Sequence, residues 1–361
     1  MVGMRDVAKE AGVSLSTVSL VVNKTGYVSD DMRARVKAAM KELNYVPNEL
    51  ARNLYKNRTN LVGVIVPTIR HPFFATLTAH LQRELAAQGL RTMLCSTADA
   101  ENGEVEYVDM LRRHMMDGII VCSHTTHPND YWTSIHRPIV AFDRVLCGGI
   151  ASIGSDHEQG GRLMAHMLVN TGAHHVVMIG GPRDQFFDLA ARNGDSPDDF
   201  DLHKTTFPAV RYYLTLEQEL KAAGVRYEYV EAGNVEDFQG YKNAVNAVLN
   251  SMPVDGVDAV VSSDIGAALC VREAMRRHIS IPRDLQIIAY DGTYLTDLAG
   301  MKMTAVAQNF DKIAQVAVGN IVRAIAKEGD AKADTTSATG RKPYEPDVLI
   351  PVTRKLGDTT R

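Results

Sequence analysis

The stretch from Met4 to Asn23 constrains this chain most, because its spacing suits two short helices joined by a tight turn. Apolar residues recur at helical spacing on either side of Gly12, which tolerates the positive φ of such a turn, and Ser14 offers a hydroxyl to cap the second helix. Two helices joined in this way form a helix-turn-helix, whose second helix fits the major groove of DNA. A helical hairpin that serves only for packing is the alternative that this stretch alone leaves open.

The second helix is expected to bury Val18, Val21 and Val22 and to turn its other side outwards. A third helix is predicted after it, with Ser29 as its cap and an acidic first turn that complements the helix dipole. The candidate DNA-contacting residues of this region are Ser14, Leu15, Ser16, Thr17, Ser19, Leu20, Asn23 and Tyr27.

This order of elements resembles the lactose-repressor (LacI) family of bacterial transcription regulators. The resemblance rests on DVAKEAGVS, TVS and VN in the first two helices, VS at the start of the third, and YVPN with Ala51 and Leu54 after it. It implies a helix-turn-helix domain over residues 1–46 and a hinge helix or linker over residues 47–60. Within that hinge it implies that Asn48, Ala51 and Leu54 contact DNA when a homodimer binds a palindromic operator.

From Leu61 onwards, apolar strands alternate with helices, which predicts parallel sheets covered on both faces. The strands are too many for one compact sheet, so we expect an α/β fold with two doubly wound lobes. The resemblance also implies a two-lobed domain like a periplasmic sugar-binding protein, which binds the effector, the small molecule that controls DNA binding. This domain is expected to be dimeric and to span residues 61–353. Lobe one is expected to hold residues 61–161 and 309–328, and lobe two residues 162–308 and 341–353.

Three crossovers between the lobes are expected near Arg162, Gln308 and residues 329–341, followed by a terminal strand at residues 347–352. The acidic stretch over residues 181–208 is longer than the corresponding stretch in most family members. We therefore interpret it as an insertion that forms a surface loop.

Charge is unevenly distributed along the chain. Residues 1–60 hold ten Lys or Arg and six Asp or Glu, a balance of +4, so the remaining residues carry −8 to give the net charge of −4. A basic N-terminal segment followed by an acidic remainder is expected of a DNA-binding module joined to a regulatory one.

The four cysteines show no CxxC spacing, which suits a reducing cytosol. No apolar run approaches the roughly 20 residues of a membrane helix, and no signal-peptide segment is recognised, so a cytoplasmic protein without a membrane partner is expected.

Polar and aromatic residues follow several predicted strands, at the edge where ligands of open α/β sheets bind. Carboxylates accept hydroxyl hydrogen bonds, guanidinium groups donate them, and aromatic rings cover the apolar face of a sugar. Taken singly, each residue also fits a solvated charge at a strand end. The candidate effector-binding residues are His71, Phe73, Phe74, Asp143, Arg144, Arg211, Ser263, Asp291 and Gln308.

This set is similar to the pattern of ribose-binding proteins and of the ribose and sucrose branches of the repressor family. The sequence departs from that pattern at two positions. His71 stands where Asn is common, and Ser263 stands where Asn usually precedes the acid at Asp264. Both changes affect which sugar hydroxyls would be recognised.

Other candidate chemistry is weaker. His124 and His127 have no third metal ligand at a useful spacing, and Cys122 and Ser123 lie in no GxSxG elbow. No GxGxxG or GxxxxGKS motif is present. We therefore expect no metal, no cofactor and no enzymatic activity.

The sequence thus predicts a transcriptional repressor of sugar-utilisation genes that binds double-stranded operator DNA and is released by a small sugar, ribose-like or sucrose- and fructose-like. The alternative is a cytosolic sugar-binding or sugar-modifying protein without an operator.

Overall fold

The computed structural model describes residues 2–47, 58–98, 103–123, 127, 129–146, 149–187, 205–329 and 346–361. Two compact units are present, Met1–Thr59 and Asn60–Arg361. They are called the head and the body below. The predicted hinge residues Asn48, Ala51 and Leu54 lie outside the described residues, as do residues 188–204 of the predicted insertion.

The head contains three helices in its described part: α1 (Met4–Ala11), α2 (Leu15–Asn23) and α3 (Asp30–Glu42). The Ser14 hydroxyl accepts the Thr17 N–H at 3.1 Å, and the Ser29 hydroxyl accepts the Met32 N–H at 3.4 Å, so both predicted caps are present. The core residues are Val7, Ala8, Ala11, Val18, Val21, Val28, Val36 and Ala39. Val22, expected to be buried, packs at the edge of this core and is only partly covered.

The turn between α1 and α2 is fixed from the third helix. Gly12 has φ 60°, the left-handed conformation predicted for it. The Arg35 guanidinium donates to the carbonyls of Ala11 and Gly12 at 2.6 and 2.9 Å, which are the last acceptors of α1. A Cβ at Gly12 would lie 2.7 Å from Arg35 Nη2, so a side chain there would displace the guanidinium.

Arg35 is therefore expected to hold the head in its fold. Arg35→Ala removes two charge-assisted hydrogen bonds and should lower the free energy of unfolding of the head by about 1–2 kcal/mol. Hydrogen exchange of the amides in α1 and α2 measures this in the full chain. Lys37→Ala, at an exposed position of the same helix, is the control and should leave exchange unchanged. Equal protection in Arg35→Ala and the parent protein would contradict this role.

The body is built from two six-stranded sheets, each with helices on both faces. Its described strands are β1 (Leu61–Val66), β2 (Arg91–Ser96), β3 (Gly118–Val121), β4 (Ile139–Phe142), β5 (Ala151–Ser155), β6 (His175–Gly180), β7 (Arg226–Glu231), β8 (Ala259–Ser263), β9 (Gln286–Asp291), β10 (Thr304–Ala307), β11 (Val348–Ile350) and β12 (Thr353–Lys355). Its described helices are α4 (Pro72–Ala87), α5 (Gly103–Arg112), α6 (Asn129–Thr133), α7 (His157–Asn170), α8 (Arg211–Ala222), α9 (Phe238–Asp255), α10 (Asp264–Arg276), α11 (Leu295–Leu298) and α12 (Phe310–Gly329).

The strand order is β11-β5-β4-β3-β1-β2 in the first sheet and β12-β10-β9-β8-β6-β7 in the second. All described neighbours are parallel except β10 and β12. Apolar side chains of α4 and α12 pack on one face of the first sheet, and those of α7 and α8 pack on one face of the second. The two doubly wound lobes predicted from the strand pattern are therefore confirmed.

The chain crosses between lobes at positions that differ in part from the expected ones. The first crossover lies at Asp156, a few residues before Arg162, since α7 already packs in lobe two. The second follows β10 at Gln308, as expected.

The expected crossover at residues 329–341 lies almost entirely outside the described residues, but α12 before this stretch and β11 after it both belong to lobe one. The assignment of residues 341–353 to lobe two is therefore wrong for β11 and correct for Val352 and Thr353. The predicted terminal strand at residues 347–352 is the shorter β11, which pairs with β5 in lobe one, and an unpredicted strand, β12, follows it and pairs with β10 in lobe two. Pro351 lies between the two strands. Proline has no N–H to donate to a sheet and its φ is fixed, so the strand ends there and the chain crosses to the other lobe.

Among the described residues, no helix is long and apolar enough to cross a membrane.

Candidate functional site

A cavity of about 420 Å³ lies between the two lobes of the body, at the carboxyl ends of strands from both sheets. Eight of the nine residues predicted for effector binding line it: His71, Phe73, Phe74, Asp143, Arg144, Ser263, Asp291 and Gln308. Arg211 does not. It begins α8 and is 3% exposed, and its part in effector binding stays a prediction. The volume falls within the range of small-molecule sites.

Two lining carboxylates occupy unusual backbone conformations. Asp143 follows β4 with φ 46°, and Asp291 ends β9 with φ 114°. Positive φ is uncommon for a residue with a side chain and persists only where the surroundings fix it. Both aspartates are also buried, at 6% and 8% exposure. Strained backbone conformations of this kind cluster at functional sites, so these two strand ends are candidates for ligand binding.

Buried polar groups join the two carboxylates across the cleft. Asp143 Oδ1 accepts the Ser155 N–H at 3.2 Å, and Ser155 Oγ donates to Gln308 Oε1 at 2.5 Å. Gln308 Nε2 in turn donates to Asp291 Oδ1 at 2.9 Å. Because Gln308 stands at a crossover, its side chain connects a lobe-one carboxylate with a lobe-two carboxylate.

His157 forms a second bridge. Its Nδ1 lies 2.7 Å from the Tyr290 hydroxyl of lobe two, and its Nε2 lies 3.0 Å from Asp143 Oδ1 of lobe one, close enough for an ion pair but poorly aligned as a hydrogen bond. Tyr290 stacks on Tyr212 with centroids 3.8 Å apart and planes 7° apart. The Tyr290 ring rests on Gly160, where a Cβ would lie only 2.7 Å from its Cε2.

The pKa values of two carboxyl groups in lobe two are raised. Burial, with the neighbouring charges of Asp264 and Asp143, raises the pKa of Asp291 well above its usual range, although the Gln308 hydrogen bond opposes this. Burial raises the pKa of Asp264 to about 6, opposed by hydrogen bonds from Thr293 and Gly292. A protonated Asp291 both donates and accepts hydrogen bonds, as a ligand hydroxyl does. Asp264 holds the turn after Asp291 through those bonds.

His71 caps α4 and is neutral. Its Nδ1 accepts the Phe73 N–H at 3.3 Å, and Pro72 takes the first helical position. Burial lowers the pKa of His71 to about 4. Because Nδ1 is an acceptor in a neutral ring, the proton lies on Nε2. His71 therefore has one donor left, where the amide of an Asn would offer both a donor and an acceptor.

Arg144 is oriented by lobe one and touches lobe two. Its Nε donates to the Ser123 carbonyl at 2.8 Å, and the Ser123 hydroxyl donates to Glu104 at 2.7 Å. The guanidinium carbon lies 4.8 Å from the centre of the Phe207 ring in lobe two, a cation–π contact across the cleft. Glu104 thus supports Arg144 through Ser123.

Sequence reasoning missed several lining residues, because their approach to the cavity depends on the order of the strands in each sheet. The lining residues that it missed include Thr97, His157, Gln185, Phe207, Tyr212, Asn234, Glu236 and Tyr241. The paired glycines at residues 160 and 161 were an available signal for a close approach in this region. A Cβ at Gly161 would lie 2.6 Å from the Tyr212 carbonyl.

In the head, the candidate DNA-contacting residues lie on the outer side of α2 and just beyond it. Leu15 is 43% exposed and Tyr27 is 91% exposed. Ser14, Ser16 and Thr17 share hydroxyl hydrogen bonds of 2.7 and 2.8 Å at the start of α2, and Asn23 donates to Ser19 at 3.1 Å. Leu20 is half-buried and packs beside Gly26, so only part of its side chain faces outwards.

Within the described ranges, no group of three or more His, Cys, Asp or Glu side chains is arranged to hold a metal ion. His127 stacks on Tyr131 and lies 3.6 Å from Glu104, whereas its predicted companion His124 is outside the described residues.

Comparison with known proteins identifies the family. Residues 3–48 match the model for bacterial regulatory proteins of the lacI family. Residues 59–194 match periplasmic binding proteins and the sugar-binding domain of the LacI family, and residues 165–342 match a periplasmic binding protein-like domain. The sucrose operon repressor of Streptococcus mutans is 33% identical over 322 residues, 89% of this chain and 92% of that protein. The chain belongs to the LacI family. The ribose operon repressor of Bacillus subtilis is also 33% identical, over 81% of this chain and 82% of that protein.

Solved structures agree with this fold. The Lac repressor dimer bound to operator and the anti-inducer ONPF has a TM-score of 0.76 at 21% identity and covers 99% of both chains. A regulator from Alkaliphilus metalliredigens complexed with D-xylulofuranose has a TM-score of 0.64 at 22% identity, covering 84% of this chain and all of the other. The predicted helix-turn-helix and two-lobed α/β architecture is confirmed. This LacI-family chain is a DNA-binding regulator and not an enzyme.

The contact between Gly160 and Tyr290 predicts a position-dependent effect of alanine. Gly160→Ala places a methyl against the ring and should lower the free energy of unfolding by about 1–3 kcal/mol. Gly319→Ala, in α12, meets only the tip of Arg323 at 3.6 Å, and better helix propensity should stabilise it by about 0.5–1 kcal/mol. Urea unfolding of both variants measures the difference. The same sign of change in both would contradict the packing described here.

Proposed function

We propose that this LacI-family regulator is a repressor of sugar-utilisation genes whose operator binding is released when a sugar occupies the cavity between its lobes. The observation that carries the proposal is the pair of buried carboxylates, Asp143 and Asp291, which reach the same cavity from opposite lobes. Relatives named sucrose and ribose operon repressors support the same class of ligand.

The lining suits a polyhydroxylated ring. Asp143, Asp291 and Gln308 supply acceptors and donors at one side of the cavity, and Arg144 and the His71 Nε2–H add donors. Phe73 and Phe74 supply aromatic surface for the apolar face of a sugar. Hydrogen bonds to charged groups contribute about 1.5–3 kcal/mol each, so three or four of them suffice for about micromolar affinity.

Release of DNA follows from where these residues stand. Gln308 lies at one crossover and His157 immediately after another, and both touch carboxylates of the cavity. A sugar bound there has a different affinity for different lobe arrangements, which is the condition for shifting a conformational equilibrium. In this proposal the protein is a cytoplasmic homodimer on a pseudo-palindromic operator, and residues 47–60 connect the lobes to the DNA.

A thermal-shift screen tests ligand binding. Pentoses, hexoses and disaccharides are added to the full chain, and a bound sugar at a hundred times its Kd should stabilise the native state by about 2.7 kcal/mol. Asp143→Asn keeps the shape of the side chain but removes its charge, so it should weaken binding about ten- to hundredfold. Asp109→Asn, on a half-exposed helix face, is the control. A full shift in Asp143→Asn would place the sugar elsewhere.

A substitution at Leu20 tests whether the outer side of α2 recognises DNA bases. Leu20 donates no hydrogen bond, whereas an arginine there could reach a guanine in the major groove. Leu20→Arg should shift the preference at one base pair of each half-site towards guanine, as measured by selection from random operators. Met32→Arg adds the same charge on α3, where Met32 is 42% exposed, and should strengthen binding without changing the preference. An unchanged consensus for Leu20→Arg would contradict this assignment.

A further inference from the structure

Glu104 is a buried acid that does not line the interlobe cavity. It lies in the first turn of α5, where the helix dipole favours a negative charge, and it is 8% exposed. Burying a carboxylate costs several kcal/mol unless other groups replace its lost hydration. The Ser123 hydroxyl donates to Glu104 Oε1 at 2.7 Å, and His127 Nε2 lies 3.6 Å from Glu104 Oε2. The effect of this acid on the rest of lobe one therefore depends on what Ser123 contacts.

Ser123 connects this acid to Arg144. Ser123 is fully buried and lies two residues beyond the end of β3, outside the strand itself. Its carbonyl accepts the Arg144 Nε–H at 2.8 Å, while its hydroxyl is held by Glu104. Because the hydroxyl and the carbonyl belong to one residue, anchoring the hydroxyl restricts where the carbonyl can lie.

Arg144 has a long side chain that acts on the cavity only if it is held in one conformation. Its backbone is fixed from β5, because its carbonyl accepts the hydroxyl of the buried Ser152 at 2.5 Å. Its guanidinium donates to the Ser123 carbonyl and, through Nη1, to the Asp143 carbonyl at 2.5 Å. An arginine side chain carries about 2 kcal/mol of rotamer entropy. Ordering the side chain before a ligand arrives removes part of that cost from binding.

The ordered guanidinium lies at the boundary between the lobes. Its central carbon is 4.8 Å from the centre of the Phe207 ring, which is buried and belongs to lobe two. Arg144 and Phe207 both line the cavity. A guanidinium that leaves this position loses the cation–π contact and changes the cavity wall at the same time.

We propose that Glu104 is a positioning residue for effector binding, which fixes the Ser123 carbonyl through the Ser123 hydroxyl and so orients Arg144. Neither Glu104 nor Ser123 lines the cavity, yet loss of the bond between them should lower the affinity for a sugar. This inference rests on the proposed function, because it assigns a role in binding at the same cavity.

Titration calorimetry of the full chain with sucrose, fructose, glucose and ribose gives the affinity of the best-binding sugar. Ser123→Ala removes the hydroxyl and keeps the carbonyl, and it should weaken that sugar about tenfold. Glu104→Gln keeps an acceptor for the hydroxyl and should bind within about threefold of the parent protein. Glu106→Ala, at an exposed position in the same turn of α5, is the control and should leave affinity unchanged.

A second comparison shows whether the two residues act together. Glu104→Ala should weaken the sugar as much as Ser123→Ala does. The double variant should weaken it no further, because both changes break the same hydrogen bond. Melting temperatures separate lost affinity from lost folding. If Glu104→Ala does not fold, Ser123→Ala and Glu104→Gln still decide the question.

The Arg144 Nε–H signal reports on the positioning without any sugar. In heteronuclear NMR spectra it is assigned by its loss in Arg144→Lys. Its exchange with water should be slow in the parent protein, in Glu104→Gln and in Glu106→Ala. In Ser123→Ala the exchange should be at least about fivefold faster, because the carbonyl that holds Nε–H is no longer anchored.

Three results overturn the positioning role: unchanged affinity in Ser123→Ala, lost affinity with an unchanged Arg144 signal, or Glu104→Gln binding as weakly as Ser123→Ala. The proposed function stands in each of these cases, since sugar still binds the parent protein. If none of the sugars binds, the proposed function fails, whereas the Arg144 signal still decides whether Glu104 and Ser123 position Arg144.

Discussion

Two buried carboxylates from different lobes reach one cavity, and the arrangement of the body depends on how they are accommodated there. Removing a charge from water costs several kcal/mol unless partners replace the lost hydration. Asp143 accepts the Ser155 N–H and lies beside the His157 ring. Asp291 accepts a hydrogen bond from the Gln308 amide, and its raised pKa favours the neutral, protonated form. The site thus holds its polar groups in fixed positions, which lowers the ordering cost of binding a sugar.

The same contacts connect ligand binding to lobe geometry. Gln308 and His157 lie at or beside the crossovers, so they are both wall residues and parts of the joints between lobes. Gly160 allows Tyr290 to reach His157, and Pro351 sends the last segment from one sheet to the other. In the function proposed above, a ligand that changes the spacing between Asp143 and Asp291 acts on groups that lie at or beside the crossovers. A small change at the cavity would then alter the arrangement of the two lobes, as allosteric regulation requires.

Much of this was predictable because the signals are local. The glycine turn and serine caps of the head are determined by a few adjacent residues, and all three are present where the sequence predicted them. The strand ends at Asp143 and Asp291 were found because apolar runs stop there. Residues such as His157, Asn234 and Glu236 were missed, because their positions depend on the strand order of whole sheets, which local patterns do not reveal. Arg211 is the one predicted effector-binding residue outside the lining, and its role stays a prediction.

In the proposed function, occupancy of the interlobe cavity controls DNA binding, and the most direct test measures both events in one titration. Fluorescence anisotropy of a labelled operator selected for this protein would be followed as the best-binding sugar is added, with direct binding of the sugar measured under the same conditions. We expect saturable release of the operator with a midpoint that follows occupancy of the cavity. A sugar that saturates the cavity while operator affinity stays constant would contradict it, because equal affinity for both states shifts no equilibrium.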